Sequence, residues 1–223
     1  MGFRKGRSIR DNAAEHVNKA LVVNVDIRQF FPNTGYPLIL RASRQLLGSD
    51  ISPRAARLVA ELCSYKGALP TGAPTSPAIA NIVLTPADGA IGKVAEQRGI
   101  SYTRYADDLT FSGEDGVLKI LPFVRDVLEQ LGYQIDAKKT NIYRRGRRQL
   151  VTGLVVNEQP NMPRRQRREL RAAVHHRISG KQPHWHGKPI SDHVLLGYLA
   201  FLQLTQPEEA KTYRKLLVGV MGK

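Results

Sequence analysis

Apolar and polar positions alternate along this chain with two different periods, which predicts a mixture of strands and helices. Residues 21–27 (LVVNVDI) are rich in β-branched residues and carry a carboxylate near their end, the pattern of a buried strand. Residues 101–106 and 109–112 flank two adjacent acids with Tyr, Thr, Leu and Phe. This arrangement predicts a β-hairpin with the acids at its turn.

Helix signals fill the region between the first strand and the hairpin. Pro37 begins a short helix that ends near Gly48, and Ser52 with Pro53 supplies the N-cap and first turn of the next helix. That second helix is predicted to end at Gly67, with one apolar face formed by Leu58, Val59, Leu62 and Cys63.

Gly and Pro then break the helical pattern. Segment 67–77 (GALPTGAPTSP) is too rich in both for regular structure. Ser76 and Pro77 begin a long helix with a bend expected at Pro86. After the hairpin, another amphipathic helix ends at Gly132, and its apolar residues are Leu118, Leu121, Val124, Leu128 and Leu131.

The pattern changes from strands to helices in the last third of the chain. Short strands predicted around 133–136, 140–143 and 149–156 complete the sheet. From about Asn161 the period is helical, with further helices near 193–203 and 208–219 and an earlier one whose apolar face is Leu170, Ala173, Val174 and Ile178. We place a subdomain boundary near 157–162, which gives two parts, 1–160 and 161–223.

Positive charge is concentrated rather than spread evenly. The 223 residues include 34 Lys and Arg against 19 Asp and Glu, a formal charge of +15. Residues 138–171 hold eleven Lys or Arg and two acids, and a second basic patch, Arg4, Lys5, Arg7 and Arg10, has one acid next to its end. A soluble basic protein without a charged partner is the alternative, but such clusters favour nucleic acid as the partner.

The sequence gives little support for a membrane or secreted protein, or for a disulfide or a zinc site. No apolar run approaches the ~20 residues that span a bilayer, and no signal-like segment follows the first basic residues, so we expect a cytoplasmic protein with no membrane partner. Cys63 is the only cysteine, which excludes an internal disulfide and a cysteine-based zinc site.

Three acids lie at the ends of these predicted elements. Asp26 lies at the end of the first strand, and Asp107 with Asp108 lies at the hairpin turn. A sheet that sets the strand beside the hairpin brings three carboxylates to one edge, and hard oxygen ligands of this kind suit Mg²⁺. An Asp-Asp pair at a turn is more often a solvated loop tip. Here, however, aromatic and β-branched residues enclose the pair in TRYADDLTFS.

The motifs resemble those of reverse transcriptases. YADD at 105–108 is similar to their YxDD box, DIRQFF at 26–31 to their first catalytic box, and LPTGAPTSP at 69–77 to the loop that supports template and incoming nucleotide. GYQIDAKKT at 132–140 is similar to the strand-turn motif that follows the YxDD hairpin in this family, and VTGLVVN at 151–157 is similar to the primer-grip region. The resemblance implies an α+β fold, a right-hand polymerase palm with an antiparallel sheet backed by helices, partial fingers and a short helical thumb.

Two further strings resemble the retron group of that family. NAAEH at 12–16 is similar to the NAxxH element of retron enzymes, and VTG at 151–153 is similar to the triplet that accompanies it. By this resemblance Asn12, His16, Val151, Thr152 and Gly153 contact nucleic acid. A purely structural role for His16 is the open alternative.

The resemblance also implies roles for residues near the acids. The three acids would hold two Mg²⁺ ions, with Mn²⁺ as a substitute, and Ile27 would add a backbone carbonyl. Lys139 matches the lysine that protonates or neutralises the leaving pyrophosphate, although a solvated lysine beside Lys138 is equally open.

Nucleotide-binding residues carry over as well. Phe31 matches the aromatic residue that excludes a 2′-hydroxyl, with a core position for Phe31 or Phe30 as the alternative. Tyr105, Thr71 and Gly72 would line the nucleotide site, but Thr71 replaces the usual Gln, so a side-chain amide contact is not implied. Gly72 permits close backbone approach.

A basic helix is predicted to grip the phosphate backbone, alongside Arg4, Lys5 and Arg7. Its arginines are Arg164, Arg165, Arg167, Arg168 and Arg171. A solvated charged face is the alternative. A local group has no cysteine or acid at metal-ligand spacing, so we interpret it as nucleic-acid contacts or surface: His175, His176, His184, Trp185 and His186.

The resemblance begins at the family's second conserved block, GFRKGRSI at 2–9. We therefore expect the N-terminal part of the fingers to be absent or supplied by another chain. Retron resemblance implies a structured non-coding RNA, its DNA product, dNTPs and an effector or toxin protein as partners, and a role in defence against phage. A group II intron or abortive-infection reverse transcriptase and a non-catalytic RNA-binding scaffold are the alternatives.

Overall fold

A four-stranded antiparallel sheet organises the first two thirds of the protein. The computed structural model describes residues 2–48 and 52–221. Within these residues the sheet contains β1 (Leu21–Asp26), β2 (Ser101–Tyr105), β3 (Asp108–Gly113) and β4 (Asn141–Arg144). The strand order is β2-β3-β1-β4, and every neighbouring pair is antiparallel. The predicted first strand and hairpin are confirmed to within one residue.

Central strand β1 buries both of its faces. Leu21, Val23 and Val25 point into the main core, whereas Val22 packs into a smaller cluster on the opposite face. Successive side chains of a strand alternate between faces, so Asp26 lies on the same face as Val22. The acid therefore ends a strand that burial on both sides holds in register.

Helices cover the sheet and continue beyond it. The sheet-region helices confirm most of the predicted positions: α1 (Ile9–Ala14), α2 (Phe30–Asn33), α3 (Tyr36–Leu47), α4 (Pro53–Leu62), α5 (Ser76–Gln97) and α6 (Leu121–Glu129), the last preceded by a 3-10 helix (Asp115–Ile120). Ser52 caps α4 as predicted, because its hydroxyl accepts a hydrogen bond from the Ala55 N–H at 3.3 Å. Helix α5 contains Pro86 within its length.

The predicted apolar face of α4 is wrong for Leu58 and Leu62, although Cys63 packs against the main core, and the predicted end of the helix is wrong. Leu58 and Leu62 are exposed, and the buried residues are Ala56 and Ala60. Helix α4 packs against α3, and small alanine side chains allow that close approach. The helix also ends at Leu62 rather than at Gly67.

Two of the strand predictions after the hairpin also need correction. Segment 133–136 contributes only an isolated bridge between Ile135 and Ile27, because Tyr133 turns into the core and bonds Thr34. Segment 149–156 forms a separate short hairpin, β5 (Leu150–Val151) and β6 (Leu154–Val155), rather than completing the main sheet.

A second hydrophobic core holds the last third of the chain. It is formed by α7 (Arg164–Ile178), α8 (Asp192–Gln203), α9 (Pro207–Met221) and a small hairpin of β7 (His184–Trp185) and β8 (Lys188–Pro189). Leu170, Ala173 and Val174 are buried as predicted, but Ile178 lies at the exposed end of the helix. The proposed boundary at 157–162 stays a prediction.

Trp185 belongs to this core and not to a nucleic-acid surface. Its indole is buried and stacks on Tyr198 with ring centroids 3.8 Å apart. The interpretation of Trp185 as a contact or surface residue is therefore wrong, while His184 and His186 beside it are exposed. Over residues 2–48 and 52–221, no helix combines the length and apolarity needed to cross a bilayer.

Candidate active site

The three predicted acids lie at one edge of the main sheet. Asp26 ends β1 and stands directly opposite Asp108, the first residue of β3. Asp107 lies in the turn, where its carbonyl accepts a hydrogen bond from the Ile27 N–H at 3.0 Å. Side chains of directly opposed residues in antiparallel strands are close neighbours. The pairing of β1 with the hairpin therefore places like charges together, as predicted.

Burial and the repulsion of neighbouring negative charges raise the pKa values of Asp107 and Asp108. Burial, reinforced by the negative charges of Asp107 and Asp26, raises the pKa of Asp108 to about 6. Burial, with a smaller contribution from Asp26, also raises the pKa of Asp107. A site of this kind has an excess of negative charge that a bound cation would relieve.

Lys139 is a positive group in direct contact with one of these acids. Its Nζ lies 3.0 Å from Oδ1 and 3.2 Å from Oδ2 of Asp26, and the hydrogen bond to that carboxylate raises the lysine pKa. The lysine side chain is 60% exposed, whereas the side chain of Asp26 is 11% exposed. Lys139 is therefore an exposed cation joined to a nearly buried acid.

The donor set suits a divalent cation, although it is not closed around one. Within the described residues, no three acidic, histidine or cysteine side chains come close enough to form a metal-holding group. Hard carboxylate oxygens, the raised pKa of Asp108 and the carbonyl of Ile27, which accepts no hydrogen bond from a described residue, fit Mg²⁺ chemically.

A buried arginine that the sequence analysis did not single out supports the acid-bearing turn. Arg104 makes a bidentate ion pair with Asp88 of α5, at 2.8 and 2.7 Å, and donates to the carbonyl of Ala106 at 2.9 Å. Ala106 has a left-handed backbone, with φ of 56°. The arginine thus fixes a strained turn. The sequence feature that could have identified this residue is an arginine within a predicted strand next to the acids.

His16 bridges the two strands of the same hairpin. Its imidazole nitrogens lie 2.7 Å from the hydroxyl of Thr103 in β2 and 2.7 Å from that of Ser112 in β3. The residue is fully buried, and burial, with a smaller effect of Lys19, lowers the pKa of His16 to about 3. The predicted nucleic-acid contact is wrong for His16, and the structural alternative is confirmed.

Other parts of the retron-like strings are also buried. Asn12 is 1% exposed, and among the described residues neither its amide nitrogen nor its amide oxygen has a hydrogen-bond partner. Val151 lies in the small cluster with Val22, so the predicted contacts of Asn12 and Val151 with nucleic acid are wrong. Thr152 is half-buried, with its hydroxyl bonded to the Ile9 carbonyl.

The two strings meet in space, with Ala13 and Val151 in one hydrophobic cluster, although the 134 residues 17–150 lie between them in the sequence. The Thr152 contact joins the turn of the β5–β6 hairpin to helix α1, and Gly153 in the same turn is exposed. Thr152 and Gly153 have left-handed φ values of 46° and 85°. The exposed part of this turn is the part that can still reach a ligand.

The predicted nucleotide-binding residues lie on different elements. Phe30 is the core aromatic, because it is 3% exposed and packs on Tyr133, whereas Phe31 is half-buried. Thr71 and Gly72 are exposed in the turn before α5, and Gly72 has φ of 89°, which favours glycine. The core alternative is thus settled in favour of Phe30.

The basic face of α7 remains partly free of ion pairs. Arg167 and Arg171 contact Glu209 of α9 at 2.7 and 3.8 Å, and Arg165 contacts Glu169 at 3.1 Å. Arg164 and Arg168 have no acidic partner within the described residues. A cleft of about 320 Å³ is lined by Arg164, Arg167, Arg168 and Arg171. Anion binding there fits this charge.

Solved structures with similar folds are polymerases. One is apo telomerase from Candida tropicalis truncated from its C-terminal domain, with a TM-score of 0.53, 11% identity and coverage of 70% of this chain and 38% of that chain. Another is the foamy viral protease-reverse transcriptase in complex with double-stranded DNA, with a TM-score of 0.53, 16% identity and coverage of 89% and 30%. The fold is that of a palm-type polymerase, as predicted.

The family follows from the sequence comparisons. A family model described as reverse transcriptase (RNA-dependent DNA polymerase) matches residues 1–170. The chain belongs to the reverse transcriptase family.

Its relatives include retron enzymes. The chain is 36% identical to the retron Mx162 reverse transcriptase of Myxococcus xanthus, over 95% of this chain and 50% of that protein. It is 33% identical to the retron Ec86 reverse transcriptase of Escherichia coli, over 99% of this chain and 66% of that protein. The retron-type resemblance is thereby confirmed, and the chain spans about half to two thirds of the length of these relatives.

Proposed function

We propose that this chain polymerises DNA from dNTPs on an RNA template. The observation that carries the proposal is the direct opposition of Asp26 and Asp108 at the sheet edge, with Asp107 in the adjoining turn, in a chain of the reverse transcriptase family. Placing like charges opposite each other is unfavourable for folding alone. A role in binding cations explains why all three carboxylates occur there.

The acids and the Ile27 carbonyl would hold two Mg²⁺ ions, or Mn²⁺ in their place. Bound there, such ions would activate a 3′-hydroxyl and stabilise the leaving oxygen during in-line phosphoryl transfer. Lys139, which donates a hydrogen bond to Asp26, would neutralise or protonate the departing pyrophosphate. Half-buried Phe31 would exclude a 2′-hydroxyl, while Thr71, Gly72 and Tyr105 would contact the nucleotide.

The template would be a structured non-coding RNA that also primes synthesis, as the retron resemblance implies. The exposed basic residues would hold its phosphates, namely Arg4, Lys5, Arg7, Arg164, Arg165, Arg168 and Arg171. Defence against phage and an effector or toxin partner are further parts of this proposal.

Purification of the chain with its bound nucleic acid tests the proposal. We expect RNA joined to DNA through a branch, and incorporation of dNTPs that is lost in the double variant Asp107→Asn with Asp108→Asn. Asp126→Asn with Asp115→Asn is the matched control, because both acids are exposed and lie on the 3-10 helix and α6.

The outcomes separate the alternatives. Incorporation that persists in the Asp107 and Asp108 double variant contradicts the proposed role of the acids. Bound RNA without DNA, together with no incorporation by the unmodified chain, favours the RNA-binding scaffold. Incorporation on unbranched RNA selects an enzyme of the group II intron or abortive-infection type.

A further inference from the structure

An exposed aromatic ring lies beside the candidate active site. Phe3 is 57% exposed, and its ring centroid is 5.8 Å from that of Tyr105. Tyr105 is the cross-strand partner of Asp108, so its side chain is on the sheet face that carries the acids. We propose that Phe3 is a stacking platform for a base of the nucleic-acid strand that passes over the acid-bearing hairpin.

The fold holds this ring in place despite its exposure. The Gly2 N–H donates to the Arg104 carbonyl at 3.3 Å, and the Asn81 side chain donates to the Gly2 carbonyl at 3.0 Å. A Cβ on Gly2 would lie 2.8 Å from the Ala106 nitrogen, so only glycine allows this close approach. Gly2, which precedes Phe3, is therefore anchored directly to the turn that carries the acids.

The backbone at Phe3 is itself unfavourable. Its φ is 56°, in the left-handed region that a bulky side chain rarely adopts. In the isolated chain, the exposed ring gains no stabilisation from burial, and the left-handed backbone of Phe3 adds conformational strain. Binding of a flat apolar surface would offset these losses, and strain of this kind is characteristic of ligand-binding positions.

Charge identifies the class of ligand. Arg4, Lys5 and Arg7 follow Phe3 directly, and all three are exposed. An aromatic ring that adjoins a run of cations is the arrangement by which proteins bind single-stranded nucleic acid: bases stack on the ring and the cations contact phosphates. A hydrophobic protein partner would gain nothing from three adjacent cations.

Tryptophan fluorescence tests stacking directly. The variant Phe3→Trp in a Trp185→Phe background has one tryptophan at the platform, since Trp185 is the only tryptophan of the chain. We expect its emission to be quenched by oligothymidylate or oligouridylate of about twelve nucleotides in metal-free buffer, because stacked bases quench indole. The nucleotide that quenches more strongly identifies whether the DNA or the RNA strand uses the platform.

Polyphosphate is the matched control ligand, because it has the charge of an oligonucleotide without its bases. Equal quenching by polyphosphate overturns the proposal in favour of a simple charge effect. Oligonucleotide that binds, by its own anisotropy, without quenching the tryptophan also overturns it.

Affinity gives a second readout. We expect Phe3→Ala and Phe3→Leu to weaken oligonucleotide binding by about five- to tenfold, the low end of what one stacked base contributes, and Phe3→Tyr to preserve it. Phe3→Leu separates the ring from mere apolar area. Unchanged affinity in Phe3→Ala overturns the proposal and leaves the ring free to contact a protein partner.

The stacking platform rests on the proposed nucleic-acid function, but different results contradict the platform and the polymerase activity. Quenching that persists in the Asp107→Asn and Asp108→Asn double variant, with no incorporation by the parent chain, supports the platform and contradicts the polymerase. Normal incorporation without any quenching at position 3 contradicts the platform alone.

Discussion

Asp108 is a single carboxylate whose charge the folded protein disfavours. Its pKa of about 6 in the fold exceeds the ordinary value of 3.8, so the folded state binds its proton more tightly than the unfolded state does. Stability therefore falls as the pH rises from about 4 to about 6, and above that range the ionised group destabilises the metal-free protein.

We expect Asp108→Asn to raise the melting temperature of the metal-free protein at pH 7.5 and to have little effect at pH 4.5. The variant removes a repulsive charge at the higher pH and replaces a protonated carboxyl at the lower pH. Thermal unfolding in the presence of a chelator measures the difference, and Asp126→Asn is the control. The same stabilisation at both pH values would contradict the charge argument.

Lys139 offers a test of chemistry at the residue scale. Because its side chain is 60% exposed, the ion pair with Asp26 contributes little to stability. We expect Lys139→Met to lower kcat for dNTP incorporation by roughly 10- to 100-fold while the melting temperature hardly changes. Lys138→Met is the matched control, because that neighbouring lysine makes no ion pair within the described residues. An equal effect of both substitutions would assign Lys139 a general electrostatic role only.

At the scale of elements, the hairpin that carries Asp107 and Asp108 is held by other elements. Arg104 ties its turn to α5 through Asp88, and His16 bonds a hydroxyl of each of its strands. These contacts explain why a two-residue turn with one left-handed residue keeps a fixed position. They also give the buried imidazole a positioning role in place of the predicted contact with nucleic acid.

The neutral His16 makes this hairpin sensitive to acid. Its pKa in the fold, about 3, lies below the unfolded value of 6.5, so the unfolded state gains a proton first as the pH falls. Stability is full above pH 6.5 and declines toward pH 3. We expect the unfolding free energy to fall between pH 7.5 and pH 5 by about 2 kcal/mol less in His16→Gln than in the parent.

Urea unfolding at the two pH values measures this difference. His193→Gln is the control, because His193 is exposed on α8 and makes no side-chain hydrogen bond within the described residues. Parallel pH dependence in the parent and in His16→Gln would show that the imidazole is not buried in its neutral form.

At the scale of the whole molecule, basic charge lies on two separate parts of the chain. Arg4, Lys5 and Arg7 follow Phe3, whose ring contacts Tyr105 of the hairpin, and the arginines of α7 lie on a helix of the second core. Arg164 and Arg168 have no acidic partner within the described residues, so they are available to phosphates, whereas Arg167 is already paired with Glu209.

We expect the double variant Arg164→Gln with Arg168→Gln to reduce the slope of log affinity against log salt by roughly 2 for duplex nucleic acid. The charge-matched control is Lys119→Gln with Arg125→Gln, on the 3-10 helix and α6. Titrations at several salt concentrations measure the slopes. The same loss in both double variants would show that total charge matters and that α7 has no specific role.

The sequence by itself determined the main sheet, most helices and the position of the acids. Alternation and β-branched residues place β1 and the hairpin, because these signals depend on neighbours in the chain. Motif order around Asp26, Asp107 and Asp108 identified the family, which the comparisons confirm.

Only the tertiary structure decided which residues face inward. The NAxxH and VTG strings read as binding motifs, yet Asn12, His16 and Val151 are buried, since α1 packs under the hairpin from far away in the sequence. Leu58 and Leu62 are exposed because α4 meets α3 through its alanines. Contacts between distant segments set burial, and a local pattern gives no information about them. For the same reason, the exposed ring of Phe3 beside Tyr105 became visible only in the fold.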